Sequence, residues 1–132
     1  MVGSDEQDFT DDFCGFLQAS VATVDAAELL LLLEEGRAAD WSVRELTAKL
    51  SPQGIVAEAE IAKYLDALES RGLLDRGNDG RVRYRPSPAN DSYVATLRRL
   101  YVERPVTLFR VIYALRDSKI KTLADAFRIF GK

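Results

Sequence analysis

Residues 59–85, AEIAKYLDALESRGLLDRGNDGRVRYR, decide the fold of this chain. Ile61, Leu65 and Leu68 recur at i, i+4 and i+7, which is one face of a helix. Gly72 stands where a helix ends on a left-handed residue, and Leu73 follows it to pack back. Leu73 and Leu74 then open a strand. Gly77, Asn78, Asp79 and Gly80 supply residues that tolerate a tight hairpin turn. Beyond the turn the period becomes two. Arg81, Arg83 and Arg85 point one way, and Val82 and Tyr84 the other. A helix leading into an arginine-faced hairpin suits a groove for the helix and phosphates for the hairpin.

Outward from this stretch the chain reads as helices. Phe9, Phe13, Phe16 and Leu17 predict a first helix over about 8–20, after a polar start. Asp25 is a candidate cap for a second helix, Ala26 to Glu35, which ends at Gly36. Its five consecutive leucines leave no polar face, so it is expected to be buried. Trp41 falls in a short extended segment. Ser42-Val43-Arg44-Glu45 then reads as a capping box for a third helix with Val43, Leu46 and Leu50 on its apolar stripe. Ser51-Pro52-Gln53-Gly54 breaks that helix, and the next is expected from near Val56 to Arg71. After Pro86-Ser87-Pro88, Asn90 or Asp91 is expected to cap a fifth helix. Pro105 either kinks it or starts a sixth. Asp117 or Ser118 is expected to cap a last helix carrying Ile120, Leu123, Ala124, Phe127 and Phe130. No internal repeat is visible.

With 132 residues, 47% hydrophobic and 30% charged, the chain is long enough for one real core and is not a disordered polymer. The longest apolar run, Leu29 to Leu33, is far too short to span a bilayer. No membrane partner or signal peptide is expected, and a cytoplasmic location is. Charge is uneven. Residues 1–41 carry ten acids and one base, whereas residues 87–132 carry nine bases and four acids. A local excess matters more to a polyanion than the total of −3.

Catalysis finds little to work with. The chain has no histidine, so Ser-His and Cys-His pairs and ordinary zinc sites are excluded. Its one cysteine, Cys14, fits a reducing compartment and is expected to pack as a small apolar residue. No glycine-rich phosphate loop is present. The chain is therefore expected not to be an enzyme and to hold no cofactor or metal.

The quoted stretch resembles the winged helix-turn-helix, especially the MarR and ArsR groups of bacterial regulators. The residues that carry the resemblance are Ile61-Ala62-Lys63-Tyr64-Leu65, then Leu68, then Gly72-Leu73-Leu74. It covers about residues 25–86 and implies a mainly α fold with a small β-hairpin wing and extra helices at both ends. Three segments follow: 1–24, an acidic segment and helix; 25–86, the winged helix-turn-helix; 87–132, a helical dimerisation segment. The family pattern turns Glu58, Ala59, Ala62 and Lys63 toward a DNA groove, and the wing adds Arg76, Arg81, Arg83 and Arg85. The ArsR-type metal-sensing cysteines are absent. Flanking helices in these families commonly build a homodimer. The apolar surplus of residues 92–130 agrees, with Tyr93, Leu97, Leu100, Tyr101, Phe109, Ile112 and Tyr113 as the expected interface. The leading expectation is a dimeric regulator of transcription bound to double-stranded DNA. The alternative is a winged-helix module that binds a protein partner, since residues 55–71 hold four acids and two bases and the pI is near 5.0.

Overall fold

The computed structural model describes residues 8–117. Helix α1 spans Asp11–Ser20 and is capped by Thr10, whose hydroxyl accepts from the Phe13 N–H at 3.2 Å. Helix α2 spans Val24–Glu35. Its cap is Thr23, not Asp25: the Thr23 hydroxyl accepts from the Ala26 N–H at 3.0 Å. Asp25 lies within the first turn, where a carboxylate complements the positive end of the helix. As its leucines foretell, α2 is buried nearly all round, through Leu29, Leu30, Leu31 and Leu33.

Helix α3, Val43–Leu50, starts on the expected capping box. The Glu45 N–H donates to the Ser42 hydroxyl at 3.0 Å, and the Ser42 N–H donates to Glu45 Oε1 at 2.9 Å. Helix α4, Glu58–Ser70, starts later than the sequence suggests and has no side-chain cap. Its approach is fixed instead by Ser51, whose hydroxyl accepts from the Val56 N–H at 2.8 Å. Ile61, Leu65 and Leu68 are buried, as their spacing predicts. The helix closes in a Schellman turn. Gly72 has φ +75°, its N–H donates to Glu69, and the Leu73 N–H donates to Leu68.

Strands β1 (Leu74–Arg76) and β2 (Val82–Tyr84) form an antiparallel hairpin with Leu74 opposite Tyr84 and Arg76 opposite Val82. Val82 and Tyr84 are buried and Arg83 is exposed, so the period-two reading holds. The extended segment at Trp41 joins this hairpin. Trp41 and Val82 exchange two backbone hydrogen bonds, each 2.8 Å.

Helix α5, Pro88–Glu103, is capped by Ser87, not by Asn90 or Asp91, because Pro88 is preorganised for the first helical position. The Asn90 side chain serves α4 instead, donating to the carbonyl of Arg71 at 2.7 Å. Pro105 starts a separate helix, α6, Pro105–Leu115, after a non-helical residue at Arg104. The expected helix beyond Asp117 lies outside the described residues. The described part is thus mainly helical with one small antiparallel hairpin. No single described helix is long and apolar enough to cross a membrane.

One continuous core joins all three expected segments. Phe9, Phe13 and Phe16 of the N-terminal part, Leu65 and Leu68 of α4, and Leu97, Leu108 and Val111 of the last helices belong to a single cluster. Helix α1 packs on α4 and α6, while α2 packs on α3, α4 and α5.

Candidate nucleic-acid interface

The hairpin directs its arginines outward because the alternate side chains are committed to the core. Val82 and Tyr84 are held inside by burial, and the Tyr84 hydroxyl donates to Asp91 at 3.0 Å. Burial and then Asp91 push the Tyr84 phenol well above its ordinary pKa, so it stays a neutral donor. Arg37 lies 5.1 Å from the centre of the Tyr84 ring and meets Asp91 at 3.3 Å, which ties the hairpin to α2 and α5. At the turn, Asp79 accepts from the Arg81 N–H and Gly80 has φ +83°.

Each outward arginine meets a carboxylate of its own chain. Arg81 lies 2.8 Å from Glu45 and also donates to the Asp40 carbonyl at 3.0 Å. Arg83 lies 2.7 Å from Asp40, and Arg85 lies 2.8 Å from Asp75. Arg76, which stands opposite Val82 and so lies on the other face of the hairpin, reaches both Asp66 at 3.2 Å and Glu69 at 3.1 Å of α4. Five carboxylates thus meet four guanidinium groups. Exposed pairs of this kind contribute roughly 0–1 kcal/mol each, so they hold weakly and exchange readily. Glu45 does two jobs. The Ser42 N–H first, then Arg81, keep its carboxyl below the usual range.

On α4, Glu58, Ala59 and Lys63 are exposed and Ala62 is half-buried. The exposed face also carries Glu60, Asp66 and Glu69. Arg44 of α3 pairs with Glu58 at 3.7 Å. The expected groove-facing residues are therefore together on one side, but the side is acidic. Sequence reasoning named the arginines and missed their partners Asp40, Glu45, Asp66, Glu69 and Asp75. Asp75 stands opposite Arg83 in the hairpin register, one diagonal step from its partner Arg85, so that pair was readable. Asp40 was not, because it depends on the Trp41 bridge.

The expected dimer residues divide. Leu97, Leu100 and Ile112 are buried inside their own chain, which corrects the expectation that they form an intermolecular patch. The apolar surface they needed is supplied by α1 and α2. Tyr93 is half-buried and stacks on Phe16 at 5.1 Å. Tyr101 and Phe109 are half-buried and meet edge to face at 5.8 Å. The Tyr101 hydroxyl donates to Glu28 at 2.7 Å, and that bond, then burial, push its pKa up to about 12. Only Tyr113 is strongly exposed, at 71%; Val102 and Val106 are exposed as well.

Cys14 is fully buried, and burial, then Asp11, push its thiol up to about 11. Among the described residues, no group of three or more His, Cys, Asp or Glu side chains is placed to hold a metal ion. Comparison of the chain with models of protein families, with curated proteins and with solved structures gave no match.

Proposed function

We propose that the chain is a winged helix-turn-helix regulator that contacts the DNA backbone chiefly through its wing. The element order supports this: α2, an extended residue at Trp41, α3, a turn, α4 and then the hairpin. The observation that carries the reading is the alternation on β2. Burial of Val82 and Tyr84 fixes Arg81, Arg83 and Arg85 on the opposite side of the strand. Guanidinium groups so arranged suit phosphate oxygens, which position a protein without reading sequence. Helix α4 adds little base readout, because Lys63 is the only cation among its exposed residues. The expected contact is therefore indifferent to sequence.

Fluorescence anisotropy with a random duplex tests it. Wild type is expected to bind at about 50 mM salt and to lose affinity steeply as salt rises. Arg81→Ala, Arg83→Ala and Arg85→Ala together are expected to weaken binding to every duplex alike. Binding that survives the triple substitution unchanged would remove the wing from the mechanism.

A second reading, a winged-helix module for a protein partner, is favoured by the acidic face of α4 and by Ile55, which is 80% exposed in the turn before it. A wild-type chain with no measurable DNA affinity at about 50 mM salt would select this reading.

A further inference from the structure

We infer that the carboxylates around the wing act as a built-in latch that holds its arginines away from phosphate until several contacts form at once. This rests on the DNA-contact reading above and concerns how that surface is regulated. The latch is assembled from three places besides the wing strands themselves. Asp40 precedes the Trp41 bridge, Glu45 caps α3, and Asp66 and Glu69 lie on α4. They meet Arg83, Arg81 and Arg76 at 2.7–3.2 Å, while Asp75 on β1 holds Arg85 at 2.8 Å.

The geometry is specific. The two backbone hydrogen bonds between Trp41 and Val82 set the chain before Trp41 beside β2. That places both acceptors of Asp40 within reach, its carboxylate for Arg83 and its carbonyl for Arg81. An isolated phosphate would have to displace a carboxylate already in place. Duplex DNA carries one negative charge per about 1.7 Å of axis, so it offers several phosphates to one hairpin together. Each exchange also leaves a carboxylate that takes up a cation from solution. Fewer ions are then released overall, and the salt dependence of the wild type is shallower than its number of arginine contacts implies.

The test neutralises the latch without touching an arginine. Asp40→Asn, Asp75→Asn and Glu69→Gln are combined in one chain, which frees Arg83 and Arg85, and Glu45 is kept because it caps α3. A control with the same change of net charge combines Asp11→Asn, Asp12→Asn and Glu103→Gln, on α1 and at the end of α5. Thermal melts verify that both fold, and the pair Asp40→Asn and Asp75→Asn replaces the triple if it does not. The latch variant is expected to bind a random duplex roughly tenfold tighter at about 100 mM salt, with a log–log salt slope steeper by about one to two units. The control is expected to gain less than about threefold and to keep the wild-type slope. If wild type binds through the wing and the latch variant gains no more than the control, the latch is overturned and DNA contact stands. If neither the wild type nor the latch variant binds, both proposals fall.

Discussion

Gly72→Ala is expected to destabilise the chain by about 1–2 kcal/mol, because its φ of +75° is strained for any residue with a Cβ. Space is not the obstacle: the nearest foreign atom to an added Cβ is the Asn90 side chain at 3.8 Å. Urea denaturation reads the difference, and an unchanged midpoint would mean that the turn relaxes out of the left-handed region. Leu65→Ala is a harsher test. Leu65 is fully buried in the common core, so losing its methyl groups and leaving a cavity is expected to cost about 2–5 kcal/mol. A loss below about 1 kcal/mol would show that the core collapses onto the gap. Glu45 gives a pH-dependent case. Its folded pKa is depressed by the Ser42 N–H and Arg81, so its contribution is present above the ordinary carboxylate pKa of about 4.3 and is lost as pH falls through the folded value. Glu45→Gln is therefore expected to lower Tm at neutral pH, with the gap narrowing in acid below about pH 4. A gap that is constant across that range would assign the effect to capping geometry alone.

Elements whose signals are local were legible in the chain. The capping box at Ser42 and Glu45 and the closing turn at Gly72 each involve residues within a few positions of one another. The hairpin was readable because turn residues and a period-two strand sit side by side. Competition between nearby caps was harder to read. Thr23 displaces Asp25, and Ser87 with Pro88 displaces Asn90 and Asp91, since all are acceptable caps and only the final packing angle selects. The latch was invisible for a different reason. Arg81 and Glu45 are 36 residues apart, and Arg83 and Asp40 are 43 apart. Nothing local records those pairs; they exist because a single bridge at Trp41 closes a third edge on the hairpin. Pro substituted at Trp41 would remove the N–H that donates to Val82. That change is expected to release Asp40 from the hairpin as well as to destabilise the sheet, so it is a poorer probe of the latch than Asp40→Asn.

At the level of the whole molecule, one core makes the terminal helices part of the fold. Leu97, Leu100, Leu108, Val111, Ile112 and Leu115 are all buried among residues of α1, α2 and their neighbours. Gln18 of α1 also donates to the carbonyls of Leu115 and Asp117, at 2.9 and 3.2 Å. At the other corner Asp8 bridges Arg99 at 2.9 Å and Arg104 at 3.0 Å. Burial pushes the Asp8 carboxyl up, but the two arginines outweigh it and hold it below the usual range. Truncation after Pro88 would strip these side chains from the core, so the shortened chain is expected to show no cooperative unfolding transition rather than to survive as a smaller folded unit. The same burial bears on assembly. An interface between two copies needs a self-complementary apolar patch on the outside of each. Of the seven residues expected to form one, Leu97, Leu100 and Ile112 already serve the inside, and only Tyr113 is strongly exposed. Like-charged Arg110 and Arg116 flank it on the exposed side. On the strength of the described residues, the chain is therefore expected to scatter light as a particle near 14.7 kDa at micromolar concentration. A mass near twice that value would overturn this, and Val106→Glu would then test whether the exposed apolar residues of α5 and α6 take part in the pairing.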